Sequence, residues 1–163
     1  MHNIKVKIKK INPNAVIPSY AKAGDAGLDL TATSISYDEY GNICYGTGLA
    51  FEIPEGYVGL IFPRSSICKE QLLLSNAVGV IDSGYRGEVS FKFKPSMALD
   101  ENQCVKTDKD RLWSVAIRQN NIYGVGDRIG QMIIMPYPQI EFEEVEELSE
   151  TERGEGGYGS SGK

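Results

Sequence analysis

Apolar and polar residues alternate in short bursts along this chain, and glycine, proline or asparagine punctuates the bursts. Ile4, Val6 and Ile8 alternate with Lys5, Lys7 and Lys9, the pattern of a strand with one wet face. After Gly24 and Gly27, Leu28 and Leu30 flank Asp29 with the same period of two. Phe51–Ile53 and Tyr57–Phe62 read as two strands around a Pro54-Glu55-Gly56 turn. The apolar run from Val78 to Ile81 leads into Asp82-Ser83-Gly84, and Gly87 then releases Val89, Phe91 and Phe93 alternating with Ser90 and Lys92. That stretch is predicted as a β-hairpin with Asp82 and Tyr85 at its tip. Gly126-Asp127 is a turn signal that opens a largely apolar strand from Ile129 to Met135. No long helix and no internal repeat emerges, so the pattern predicts an all-β sandwich or barrel.

Three stretches depart from this rhythm. Residues 12–23 carry two prolines and read as loop. Residues 95–123 are rich in charge and amides, with Leu112, Trp113, Val115 and Ile117 as one apolar island. Toward the end, Glu141, Glu143, Glu144, Glu146 and Glu147 flank Val145 and Leu148. From Arg153 onward glycine fills five of eleven positions, leaving little to pack.

Composition narrows the chemistry. At 163 residues the chain suits one domain with an ordinary core. A net charge of -5 offers no footprint for nucleic acid. No apolar run reaches the length of a membrane span, and the N-terminus lacks a signal-peptide core. Cys44, Cys68 and Cys104 are odd in number and widely spaced, which suits a reducing, cytoplasmic setting rather than a disulfide framework or zinc site. His2 is the single histidine and lies at the end of the chain, so histidine triads and histidine metal centres are excluded. Chemistry must run on carboxylates, hydroxyls, arginines and backbone.

Several clusters could supply it. Pro63-Arg64-Ser65-Ser66 sets a cation and two hydroxyls directly after a strand, donors suited to phosphate oxygens, although a solvated turn has the same composition. Asp25 and Asp29 read either as turn caps or, for Asp29, as a carboxylate facing a metal through water. Asp82 reads as a turn-satisfying Asx residue or as a working carboxylate. Arg128 and Gln131 sit at the mouth of their strand. The terminal stretch combines Arg153, Tyr158, Gly159, Ser160 and Ser161 with backbone amides that glycines leave open to phosphate.

Taken in order, five clusters resemble the five motifs of the trimeric dUTP pyrophosphatases, the dUTPases. They are Ala26-Gly27-Leu28-Asp29-Leu30; Pro63-Arg64-Ser65-Ser66; Gly79-Val80-Ile81-Asp82-Ser83-Gly84-Tyr85-Arg86-Gly87; Gly126-Asp127-Arg128-Ile129-Gly130-Gln131; and Arg153-Gly154-Glu155-Gly156-Gly157-Tyr158-Gly159-Ser160-Ser161-Gly162. The resemblance implies a jelly-roll (β-clip) subunit over residues 1–148 with a flexible Gly-rich arm over 149–163. It also implies a homotrimer with shared active sites and Mg2+-assisted hydrolysis of dUTP to dUMP and pyrophosphate.

By the same resemblance Asp82 holds the attacking water, Tyr85 packs beneath the deoxyribose, and Asn76 with Gly79, Val80 and Ile81 reads uracil. Arg64, Ser65, Ser66 and Gln131 contact the α and β phosphates, and Asp29 meets Mg2+ through water. Arg153, Ser160 and Ser161 hold the γ-phosphate while Tyr158, with Gly159 beside it, stacks over the base. Arg128 has two implied roles, bracing Asp82 or pairing with another acid. Tyr158 stands where the family usually has Phe, and Ser66 where it more often has Gly. A segment near 95–119 is longer than in compact relatives and reads as a surface insertion, or as a protein-binding surface anchored by Trp113. The related dCTP deaminases, including bifunctional ones, are the rival reading. They need a carboxylate where this chain offers Lys92, and they tend to have an Arg where it has Lys69. A non-catalytic binding module is the third.

Overall fold

The computed structural model describes residues 3–96 and 122–157. Ten strands and one 3-10 turn make up the described secondary structure, with no α-helix among these residues. The strands are β1 (Lys7–Lys10), β2 (Leu28–Thr31), β3 (Ser34–Tyr37), β4 (Ile43–Gly46), β5 (Leu49–Glu52), β6 (Tyr57–Phe62), β7 (Leu72–Leu74), β8 (Gly79–Ile81), β9 (Ser90–Pro95) and β10 (Arg128–Pro136); the 3-10 turn is Ser65–Lys69. One four-stranded sheet runs β2-β10-β6-β8, a second runs β3-β4-β9-β7, and β1 pairs with β5 as a ribbon. Every described pairing is antiparallel. The expected all-β, jelly-roll class holds.

Alternation decides which faces meet. Along β9, Phe91 and Phe93 are fully buried while Ser90 and Lys92 are exposed. Leu30 of β2 and Ile129 and Met132 of β10 bring the first sheet's inner face to the same core, joined by Tyr45 of β4. Burying side chains of this size contributes roughly 1.5–3 kcal/mol each. The Tyr45 hydroxyl donates to the Tyr123 carbonyl at 3.1 Å, and burial pushes the phenol pKa up to about 12. Tyr123 carries the same sign of shift for the same first reason, burial.

The N-terminal strand is shorter than its alternation suggests, beginning at Lys7 rather than Ile4. A larger correction concerns the predicted hairpin. Its two arms do not pair with each other: β8 lies beside β6 in one sheet, whereas β9 lies between β4 and β7 in the other. Residues 82–89 therefore cross from one sheet to the other, and Asp82 and Tyr85 sit on the crossing rather than on a hairpin tip. The Gly126 turn is present, with φ +94, and delivers the chain into β10. Trp113 and most of the 95–119 stretch fall outside the described residues, as do Tyr158, Gly159, Ser160 and Ser161.

Candidate active site

The first sheet brings three of the sequence clusters to one end. In register, Gln131 of β10 stands between Asp29 of β2 and Phe62 of β6. Arg64 follows β6 immediately, so its side chain reaches across to Asp29: Arg64 Nε donates to Asp29 Oδ1 at 2.8 Å. Arg128 Nη1 donates to the other oxygen, Oδ2, at 2.9 Å. Asp29 is thus held between two guanidinium groups. Within the chain, Arg128 pairs with an acid other than Asp82. Gln131 Nε2 donates to the Pro63 carbonyl at 3.2 Å, fixing its amide against the loop that carries Ser65. A cleft of about 390 Å³ opens here, lined by Asp25, Gly27, Asp29, Arg64, Ser65 and Gln131 among others. Gly27 makes room for it, because a Cβ at that position would overlap Gln131 Oε1.

The second slot lies along the crossing from β8 to β9. Its volume is about 230 Å³, with Val80, Ile81, Asp82, Tyr85, Glu88, Val89 and Ser90 around it. Asp82 is exposed, and its main-chain carbonyl accepts from the Tyr85 amide at 3.0 Å, closing the turn. The Tyr85 hydroxyl donates to the Glu88 carbonyl at 3.0 Å, and the ring lies over Gly87, where a Cβ would overlap it. Arg86 Nη1 donates back to the carbonyls of Ser83 and Tyr85, so it braces the loop from behind. Two features here had no signal in the sequence pattern. Glu88 Oε1 accepts from the Gly48 amide at 2.6 Å and pins the loop's far end. Asn42 is one of the two polar side chains buried among the described residues.

The two slots are not adjacent. Ile81 pairs with Gly59 whereas Gln131 pairs with Phe62, so Asp82 falls beside the Val58 end of β6 and the arginine cleft beside the Phe62 end. Phe62 and Val58 are separated by about 13 Å along an extended strand. Asn76, at the opposite end of β8 from Asp82, is exposed, with its Nδ2 near Gly79. Ser66 is half-buried with a hydroxyl that meets no described hydrogen-bond partner, and Arg153 folds onto its own segment, donating to the Gly156 carbonyl at 2.9 Å. Past Pro136 the Tyr137 amide still donates to the Gly56 carbonyl at 3.0 Å, and beyond it the chain carries Ile140, Phe142 and Leu148 in the open, 66%, 92% and 87% exposed. Lys92, the residue that weighs against deamination, donates to Asp38 at 3.1 Å and lines neither slot.

No three His, Cys, Asp or Glu side chains converge as a metal cage among the described residues. Asp29, with Asp25 also lining this donor-bearing cleft, suits Mg2+, which keeps several waters and takes one or two carboxylates plus substrate phosphates.

An antiparallel β subunit with a polar cleft lined by Arg64, Ser65, Gln131 and two aspartates, and a separate exposed carboxylate, fits a hydrolase acting on a phosphoric anhydride. The dUTPase family profile matches residues 13–102 and 115–162, and the chain belongs to that family. It is 39% identical over 165 residues to the deoxyuridine 5'-triphosphate nucleotidohydrolase of Rhodococcus erythropolis, covering 98% of this chain and 87% of that one. Among solved structures, the dUTPase of Staphylococcus bacteriophage 80alpha with dUPNHPP superposes with a TM-score of 0.76 at 31% identity, over 98% of this chain and 99% of that one. A mutant dUTPase of phage phi11 of S. aureus, which coordinates a structural Mg(II) ion, gives 0.67 at 30% identity, over 89% and 99%.

Proposed function

We propose that this chain hydrolyses dUTP to dUMP and pyrophosphate, acting as a homotrimer in which each active site draws on more than one copy. The observation that carries this reading is the separation of the two slots. Attack at phosphorus requires the water-holding carboxylate and the phosphate donors within about 3 Å of the reacting atoms. Within one chain, about 13 Å of β6 lies between them. A second copy supplies the missing half.

In the assembled site Asp82 orients a water at the α-phosphorus, contacts the sugar 3′-hydroxyl and takes the water's proton. The new P–O bond forms as the bridging α–β P–O bond breaks, and pyrophosphate leaves. Arg64, Ser65, Gln131 and the Ser66 amide meet the α and β phosphates, neutralising charge that builds on the leaving group. Tyr85, tied to the Glu88 carbonyl, lies beneath the deoxyribose and leaves no space for a 2′-hydroxyl. Asn76 and the backbone of Gly79, Val80 and Ile81 read the uracil edge. Asp29 would hold hydrated Mg2+, which when bound would offset negative charge on the triphosphate. The arm folds over as a lid: Arg153, Ser160 and Ser161 on the γ-phosphate, Tyr158 over the base with Gly159 giving it room. The product dUMP supplies dTMP synthesis, and removal of dUTP limits uracil in DNA.

Incubation with Mg2+ and dUTP, UTP, dTTP or dCTP in turn, following pyrophosphate and ammonia, tests the reading. Pyrophosphate from dUTP alone is expected; ammonia from dCTP would instead make the chain a deaminase. Asp82→Asn is expected to lower kcat by about 10²–10⁴, the usual contribution of a positioned base. Binding of a non-hydrolysable dUTP analogue should hold within a few-fold; unchanged turnover removes Asp82 from its role.

Two further expectations belong with this reading. Residues 103–114, between the stretches matched by the family profile, lie within the 95–119 insertion, proposed as a docking surface for another protein with Trp113 as anchor. Deleting the insertion should leave pyrophosphate release intact. Unpaired Cys44 and Cys68 suit the reducing cytoplasm.

A further inference from the structure

We infer that Asn42 is a positioning residue for base recognition: it holds the turn that carries Asn76, and it acts through Ser75. The inference rests on the proposed role of Asn76 at the uracil edge.

Asn42 lies at the foot of β4, only 7% exposed, and every polar atom of its side chain is engaged. Nδ2 donates to both carboxylate oxygens of Asp38, at 3.1 and 2.9 Å, and Oδ1 accepts from the Ser75 hydroxyl at 2.7 Å. Asp38 is itself fixed by the Asn42 and Tyr40 amides and by Lys92 Nζ. The network therefore joins the β3–β4 turn, the middle of β9 and the β7–β8 turn.

The third of these is the functional one. Ser75 opens the turn, with its amide donating to the Lys92 carbonyl at 2.9 Å, and Asn76 follows directly. Ala77 then takes φ +59, the one positive-φ residue other than glycine among those described. A left-handed alanine is strained and persists only where its surroundings over-determine it. The Ser75 bonds to Asn42 and to β9 are side-chain and main-chain restraints of that kind. Losing the buried Asn42 acceptor frees the Ser75 hydroxyl, and the turn then samples other conformations in which the Asn76 amide leaves the base edge. A residue that merely stabilised the β3–β4 turn could have met Asp38 alone; the Ser75 bond spans 33 positions of sequence to reach the recognition turn.

The test compares Asn42→Ala, Ser75→Ala, Ser75→Thr and Asn76→Ala by steady-state kinetics on dUTP, dTTP and dCTP, with melting temperatures alongside. Asn42→Ala and Ser75→Ala are expected to raise KM for dUTP about five- to tenfold, the effect of one buried hydrogen bond. They should leave kcat within twofold and lower the dUTP preference over dTTP and dCTP. Ser75→Thr, which keeps the hydroxyl, is expected to retain wild-type KM. If Asn42→Ala fails to fold, Ser75→Ala carries the test alone. A lower melting temperature with unchanged KM and selectivity in Ser75→Ala, while Asn76→Ala is impaired, would overturn the inference and leave the base subsite standing. Unaltered KM and selectivity in Asn76→Ala would overturn the subsite reading itself.

Discussion

At position 27 the difference between a hydrogen and a methyl group decides where Gln131 can sit. A Cβ there would meet the far end of a flexible side chain, so the fold can absorb it while Gln131 cannot stay put. Gly27→Ala is therefore expected to shift the melting temperature by no more than about 2 °C, as for a substitution that strains nothing rigid. A displacement of about 1 Å at a phosphate contact is enough to lower kcat by one to two orders of magnitude. Gly130 makes the opposite case one residue before Gln131. Its Cβ would run into the Phe91 ring and sit 2.9 Å from the Phe62 carbonyl, neither free to move. Gly130→Ala should cost about 1–3 kcal/mol in a urea melt, the range for overpacking. If the two variants lose stability equally, the distinction between flexible and rigid neighbours is wrong. Both glycines stand in the recognisable motifs of the sequence, yet what each avoids was not legible there. The same holds for Asp29: its pairing with Arg64 and Arg128 spans 35 and 99 positions, and no local pattern reports which cation an acid will find.

At the scale of elements, period-two alternation located strands well and paired them badly. Phe91 and Phe93 announce the buried face of β9, but alternation carries no information about a strand's neighbour, so it predicts a β8–β9 hairpin where a crossing between sheets exists. Eight residues, 82–89, separate the two strands, too many for the two-residue turns that force adjacent strands to pair. The polar network between β3 and β4 was equally silent, because Asp38 and Asn42 look like any solvated turn. Its pH behaviour can be stated. Hydrogen bonds led by the Asn42 side chain hold the Asp38 carboxyl well below the usual range, and Asp38 in turn raises the Lys92 ammonium. A depressed carboxylate contributes stability above its unfolded pKa and loses it as pH falls through the folded value. A raised amine contributes below its unfolded pKa and loses it as pH climbs through the folded one. Asp38→Asn should thus lower the urea midpoint by a constant amount between about pH 5 and pH 9, inside the ordinary Asp and Lys values. The gap to wild type should begin to narrow below about pH 4, where the unfolded carboxyl takes up its proton, and keep narrowing as pH falls toward the depressed folded value. A gap that persists unchanged at pH 2 would mean that the carboxylate charge is not what the network uses.

For the whole molecule, the two slots set a condition that mixing can test. Arg64→Ala disables the phosphate cleft and leaves the Asp82 slot intact; Asp82→Asn does the reverse. If each site takes Asp82 from one copy and Arg64 from another, co-expression restores sites that neither variant has alone. A functional site needs its Asp82 from an Arg64→Ala chain and its Arg64 from an Asp82→Asn chain, each with probability one half in an even random mixture. Activity should then return to about a quarter of wild type per site, the outcome of random assembly in a closed symmetric oligomer. Sites built within single chains would recover nothing, since every chain carries one lesion. The exposed arm adds a control: removing residues 149–163 from one partner removes the lid from the sites that partner covers. Recovery should drop without any change in the size of the assembly by sedimentation. Recovery that ignores the arm would mean that the lid serves no site across the interface.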